Sequence, residues 1–126
     1  MHVSTITFDG LGFDGSRRAA ETFERPLDVT GMEATAQDAT NLLKALSHEG
    51  RLLILCHLTT GEKSVTEFER LLDASQAAVS QQLARLRLEG LVNFRREGKA
   101  IYYSLADPKV RRILDVLHEL YCETKA

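Results

Sequence analysis

The fold of this chain is decided by residues 64–105, which read SVTEFERLLDASQAAVSQQLARLRLEGLVNFRREGKAIYYSL. Ser64 and Glu67 have the spacing of a capping box, in which each side chain accepts a hydrogen bond from the other residue's backbone amide at the start of a helix. A turn at residues 73–74 follows this short helix, and Ser75 then caps a second helix that ends at a glycine. Two short helices joined by a tight turn predict a helix-turn-helix.

The residues after the second helix predict a β-hairpin. Residues 91–96 and residues 100–105 are rich in branched and aromatic side chains, and the turn between them contains Gly98. A hairpin that directly follows a helix-turn-helix is a wing.

Further helices are predicted on both sides of this unit. Apolar residues recur at helical spacing from Glu33 to Leu46. Ser47 is the expected N-cap of a helix that is apolar nearly all round between Leu52 and Leu58, which is typical of the centre of a domain. A last helix is expected from Asp107, followed by proline, to about Glu123.

The expected fold class is therefore mainly α with a small β-hairpin, a winged helix-turn-helix with the element order ααααββα. The apolar stripes of the first and last helices are wide for so small a core. They predict a homodimer formed through these two helices.

Length and composition exclude several classes of protein. The 126 residues carry a formal net charge of −2 and suit one domain with a tail. No apolar run approaches the ~18 residues of a membrane span, and the first 25 residues lack the apolar region of a signal peptide. Two cysteines are too few for a disulfide-rich secreted scaffold. A cytoplasmic protein is expected.

Residues 1–32 show no sustained hydrophobic period and are expected to form an N-terminal arm, which leaves residues 33–126 as the winged helix-turn-helix domain. Within the arm, residues 10–15 match the GxGxxG pattern of dinucleotide-binding proteins. That fingerprint requires a second parallel strand, and no apolar strand follows. Nucleotide binding is therefore not expected.

Positive charge is concentrated in residues 74–106, which hold five Arg or Lys and two Asp or Glu. The negative total averages this block with acidic segments, whereas nucleic-acid binding depends on the local potential. An ordinary solvated face is the alternative interpretation of these charges.

The second helix of the helix-turn-helix carries side chains that suit base recognition. Gln pairs with adenine, Ser with either class of base, and Ala contacts the thymine methyl group. Arginines further along this helix and cations at the wing tip suit phosphates or the minor groove. The predicted DNA contacts are Ser75, Gln76, Ala77, Ser80, Gln81, Gln82, Arg85, Arg87, Arg95, Arg96 and Lys99.

Three segments together resemble the ArsR/SmtB family of winged-helix repressors: LSHEGRLLILC at 46–56, SQAAVSQQLARLRLEGLV at 75–92 and REGKAIYYSL at 96–105. The resemblance extends over about residues 37–123. It implies a dimeric transcription regulator that binds a palindromic operator in double-stranded DNA and releases it when an inducer binds.

The metal sites of that family are not matched. The Cys-Val-Cys motif of many metal-binding members corresponds here to Ser64, Val65 and Thr66, and hydroxyls are poor ligands for soft metals. The zinc site on the last helix of other members corresponds to Asp107 and Glu123, with Lys109 and Leu120 between them. No metal or other cofactor is therefore expected.

The two cysteines, Cys56 and Cys122, resemble the sensing pair of the persulfide-responsive SqrR/BigR branch of the family. In that branch, sulfur atoms bridge two cysteines at these positions when reactive sulfur species rise. The resemblance implies that Cys56 and Cys122 are the sensor thiols and that a persulfide or polysulfide is the inducer. His118, one turn before Cys122, is a candidate modulator of its thiol, or simply a partly exposed helix residue.

Several alternatives stay open from the residues alone. The same cysteines, with His118 or His57, could bind zinc or Cu(I). They could also form an ordinary disulfide with peroxide as the signal. A third alternative is that both thiols are buried and inert. An interaction module that no longer binds DNA is a further alternative. A thiol enzyme is disfavoured, because the apolar neighbours of Cys56 should raise its pKa and no acid–base pair accompanies it.

Overall fold

The structure, a computed structural model, describes residues 25–122. It divides into two units, the first ending at Ala36 and the second beginning at Gln37. Within the described residues there are five helices and three strands: α1 (Val29–Leu46), α2 (Glu49–Leu58), β1 (Lys63–Ser64), α3 (Val65–Leu72), α4 (Gln76–Leu88), β2 (Val92–Glu97), β3 (Ala100–Leu105) and α5 (Pro108–Tyr121). This order confirms the predicted winged helix-turn-helix. The glycine pattern at residues 10–15, and Glu123, lie outside the described residues.

The first helix begins earlier than the apolar spacing predicts, at Val29 rather than Glu33. The Asp28 carboxylate accepts hydrogen bonds from the backbone amides of Thr30 (3.1 Å) and Gly31 (3.4 Å) and so caps the added turn. Threonine and glycine have low helix propensity, so this turn was not predictable from residue type.

The N-cap of α2 is His48, and the expectation of Ser47 is wrong. Nδ1 of His48 accepts hydrogen bonds from the backbone amides of Gly50 (3.0 Å) and Arg51 (3.4 Å). The Ser47 hydroxyl instead donates to the Lys44 carbonyl at 2.9 Å and closes the end of α1. An imidazole acceptor is not among the preferred N-cap groups, which explains why the sequence pattern pointed to serine.

The helix-turn-helix, α3 and α4, has the predicted caps. Glu67 and Ser64 exchange the two hydrogen bonds of the capping box, at 2.7 and 3.2 Å. Asp73 takes a left-handed conformation (φ 52°) in the turn, and the Ser75 hydroxyl accepts from the Ala78 amide at 3.1 Å.

The wing belongs to a three-stranded antiparallel sheet in the order β1-β3-β2. Strands β2 and β3 pair from Val92–Leu105 to Glu97–Ala100, and Gly98 takes a positive φ of 65° in the turn. The sequence did not predict β1, which pairs Lys63 with Tyr103. Two residues are too few to show a strand period.

The core lies among α2, α3, α4 and α5. Its largest fully buried side chains are Phe68, Ile54, Leu55, Leu83, Leu86, Val79 and Val110. None of the helices within residues 25–122 combines the length and the apolar character that crossing a bilayer requires.

Only one face of α2 is buried in the single chain. Ile54, Leu55 and Leu58 enter the core, whereas Leu53 is 41% exposed and Cys56 is exposed. The expectation that α2 is buried all round is therefore wrong for one chain, because no element of the described chain covers its second face.

Replacing Ser64 by alanine should lower the free energy of unfolding by about 1 kcal/mol, because the Glu67 amide loses its acceptor. Thr66→Ala, at an exposed position in the same turn, is the matched control and should change the free energy of unfolding by less than about 0.5 kcal/mol. Urea denaturation measures both variants, and equal losses would contradict the importance of the cap.

Candidate nucleic-acid interface and thiol pair

The exposed face of α4 carries most of the residues predicted to contact bases. Val79, Leu83 and Leu86 anchor the opposite face in the core. Positions four apart are neighbours on a helix surface, so Gln76 adjoins Ser80. The residues exposed on this face or at its N-cap are Ser75, Gln76, Ala77, Ser80 and Gln81. They present amide, hydroxyl and methyl groups together, as a recognition helix requires.

Gln82 occupies a different position from its neighbours. It is half-buried, and its Oε1 accepts a hydrogen bond from Nη1 of Arg51 at 3.3 Å. Its amide nitrogen lies 3.4 Å from Nε2 of His48. The side chain therefore links α4 to the N-terminal end of α2. This contact was not predictable from the sequence, because the partners are 31 and 34 residues away.

The predicted phosphate contacts on α4 are engaged within the protein. Arg85 forms an ion pair with Glu89, with Nε and Oε2 3.3 Å apart. The guanidinium of Arg87 lies over the ring of Phe94 at 3.9 Å from its centroid, which holds the end of α4 against the wing.

The three predicted cations of the wing differ in their surroundings. Arg95 binds the carboxylates of Glu62 and Glu97. Arg96 and Lys99 are exposed and form no ion pair with any residue in the 25–122 range. The free positive charge of the wing therefore lies on Arg96 and Lys99. Sequence reasoning missed Glu62, which is 33 residues from Arg95.

The two cysteines lie at the ends of α2 and α5. Cys56 shares the uncovered face of α2 with Leu53, and Cys122 is the C-cap of α5, where its amide donates to the His118 carbonyl at 2.8 Å. Both are free and exposed, so the alternative of two buried thiols is wrong for the single chain.

Desolvation is the main cause that raises the pKa of the Cys56 thiol, and the charge of Cys122 raises it further. The increase in the pKa of Cys56 that its apolar neighbours predict is thus confirmed.

The donors considered for a metal are mostly in use elsewhere. The Ser64 hydroxyl belongs to the capping box, and the Asp107 carboxylate caps α5 through the Lys109 amide at 2.9 Å. The ring of His57 packs edge-on against Phe68, with centroids 6.4 Å apart. His118 is exposed on α5. The part of the chain from 25 to 122 brings together no group of three or more His, Cys, Asp or Glu residues that could hold a metal ion.

The family model, the similar sequences and the similar solved structures are all those of bacterial transcription regulators. Residues 48–93 match the model for bacterial regulatory proteins of the arsR family. The chain is 44% identical over 98 residues to the transcriptional activator HlyU of Vibrio cholerae, covering 78% of this chain and 91% of that protein. The structure of reduced HlyU from Vibrio cholerae is similar, with a TM-score of 0.70, 46% identity and coverage of 73% of this chain and 97% of that one. The transcriptional repressor BigR from Xylella fastidiosa gives a TM-score of 0.73 at 40% identity, covering 76% and 98%.

Gln82→Ala and Gln81→Ala form a matched pair that separates helix positioning from base recognition. Gln82→Ala should lower the free energy of unfolding by about 1 kcal/mol, because Arg51 loses a part-buried partner. Gln81→Ala should change it by less than about 0.5 kcal/mol and instead alter base preference on duplex DNA. Denaturation and selection from a random duplex pool measure the two effects. A stable Gln82→Ala protein with altered base preference would contradict the assignment.

Proposed function

This chain belongs to the ArsR family of bacterial regulatory proteins, and we propose that it is a homodimeric repressor that senses reactive sulfur species through Cys56 and Cys122. Members of this family bind operator DNA and typically form dimers, and the relatives are transcription regulators rather than enzymes. HlyU is an activator and BigR a repressor, so the direction of control belongs to the proposal. The observation that carries the sensing role is that both thiols, one near the end of α2 and one at the end of α5, are free and exposed.

The proposed reaction is exchange between the two thiols and a polysulfide. The Cys56 thiolate attacks an inner sulfur of R–S–S–S–S–R and expels RS⁻, which leaves a sulfur chain on Cys56. The Cys122 thiolate then attacks the sulfur next to the remaining R–S group and expels a second RS⁻. The two leaving thiolates take up the two thiol protons. The dithiol is oxidised by two electrons, the polysulfide is reduced, and the inserted sulfur atoms bridge α2 and α5.

Dimer formation is supported by apolar residues that the single chain leaves uncovered. Leu43 of α1 is exposed, and on α5 Val116, Leu120 (60%) and Tyr121 (76%) are also exposed. Apolar side chains left exposed on these two helices favour an interface there. A symmetric partner would set two α4 helices about 34 Å apart, one turn of DNA.

A sulfur bridge between Cys56 and Cys122 would affect DNA binding through the dimer interface. It would join the C-terminal end of α2 to the C-terminal end of α5, next to the uncovered apolar residues. A shift of α5 in the dimer would change the separation of the two α4 helices and lower operator affinity.

Single replacements of the cysteines test the sensing role. Polysulfide should lower the affinity of the wild-type dimer for its DNA by at least about tenfold, a coupling of about 1.4 kcal/mol. Cys56→Ser and Cys122→Ser should bind equally well with and without polysulfide, because neither can form the bridge. The probe is a duplex selected by the wild-type protein from a random pool, and binding is measured by fluorescence anisotropy.

Two controls accompany this experiment. Hydrogen peroxide, applied in parallel, distinguishes a plain disulfide from a bridge with added sulfur, and intact mass counts the sulfur atoms. The proposal is contradicted if a single-cysteine variant responds like the wild type, or if only peroxide releases the DNA.

The pH dependence of Cys56 reactivity is a second prediction. Because desolvation and the Cys122 charge raise the pKa of Cys56, its thiolate fraction should continue to rise above the ordinary thiol range. Cys122→Ser removes the Coulombic cause, so the midpoint should move to lower pH, and desolvation should still hold it above the ordinary value. The rate of iodoacetamide alkylation against pH measures both midpoints. Identical profiles would show that the thiols do not interact.

A further inference from the structure

The side chain of Arg95 in the wing binds the segment between α2 and β1, in addition to the backbone pairing of β1 with β3. Its Nε lies 3.1 and 3.0 Å from the two carboxylate oxygens of Glu62, and one of its terminal nitrogens also donates to that carboxylate. The other terminal nitrogen, Nη1, donates to Glu97 at 2.6 Å. The guanidinium also lies 4.8 Å from the centroid of the Tyr102 ring, directly across the strand pair. All three nitrogens of this guanidinium therefore have partners.

This arrangement differs from an ordinary surface ion pair. Exposed ion pairs usually contribute little to the free energy of folding. Multiple parallel hydrogen bonds from one guanidinium to a carboxylate, however, add geometric specificity. Glu62 directly precedes β1, which pairs with β3, whereas Arg95 lies within β2, so the ion pair joins the two outer strands of the sheet across β3.

The neighbouring cations lie in different surroundings. Successive side chains of a strand point to opposite faces, so Arg96 lies on the face of Phe94, whose ring packs against Arg87 of α4. Lys99 lies in the turn at the wing tip. Neither forms an ion pair with residues 25–122, so neither charge is compensated locally.

We propose that Arg95 and Glu62 are a positioning pair that sets the angle of the wing, and that Arg96 and Lys99 make the phosphate contacts of the wing. The inference changes the role that the sequence predicts for Arg95 and gives a role to Glu62. It rests on the DNA binding of the family and does not depend on the response of the cysteines.

The competing interpretation, in which Arg95 contacts phosphate, predicts an effect of opposite sign. If Glu62 only masked Arg95, Glu62→Gln would release a cation and remove a negative charge near DNA, and binding would become tighter. If the pair positions the wing, the same variant weakens binding, although the protein has become less acidic.

The test measures the DNA affinity of the reduced full chain at several salt concentrations, on a duplex selected by the wild type from a random pool. Glu62→Gln and Arg95→Gln should each weaken binding by about fivefold. The double variant should bind no more weakly than either single variant, because the same contact is lost. The exchanged pair Glu62→Arg with Arg95→Glu should recover part of the affinity.

The salt dependence separates positioning from phosphate contact. Arg96→Gln and Lys99→Gln should each reduce the slope of log K against log[salt] by about one per wing, whereas Arg95→Gln should leave the slope unchanged. Asp38→Asn, at an exposed acid of α1, controls for the loss of one negative charge. Thermal unfolding of each variant confirms that it is folded. Tighter or unchanged binding by Glu62→Gln, or a reduced slope for Arg95→Gln, would overturn the proposal.

Discussion

A helix that is apolar nearly all round has to be covered on every side, and one chain covers only one side of α2. Ile54, Leu55 and Leu58 fill the core, and Leu53 and Cys56 remain at the surface. This constraint accounts for the chemistry of Cys56. Its thiol is desolvated enough for its pKa to rise, yet it is accessible to a small reagent. The uncovered apolar residues of α1 and α5 are the surfaces that the proposed homodimer would bury.

The two ends of α2 make different contacts. At its N-terminal end, the Arg51 guanidinium donates to the carbonyls of Ala45 (2.7 Å) and Lys44 (3.1 Å) at the end of α1 and to Gln82 of α4. One cation thus joins three helices, including the recognition helix. At its C-terminal end, α2 carries Cys56 and leads into Glu62, the partner of the wing. Side chains at the start of α2 and in the segment that follows it therefore contact both elements that would meet DNA.

Interactions between residues close in sequence were predictable, and those between distant residues were not. The capping box at Ser64, the cap at Ser75 and the Asp107 cap each join residues two or three apart, so residue type and spacing determine them. The strand β1, the inward position of Gln82 and the engagement of Arg95 by Glu62 depend on partners far along the chain. The sequence shows which of these residues are charged or polar, but only the fold shows which partner each one binds. The same reason separates Arg95 from Arg96, which are indistinguishable by composition.

The most direct measurement follows bridge formation and DNA binding in one sample. Reduced protein is titrated with polysulfide, the bridged fraction is counted by intact mass, the bound fraction of a selected duplex is measured at each point, and a thiol reductant then reverses the reaction. If sensing occurs through Cys56 and Cys122, the loss of bound DNA should follow the bridged fraction and be restored by reduction. Fully bridged protein that binds the duplex with unchanged affinity would contradict it.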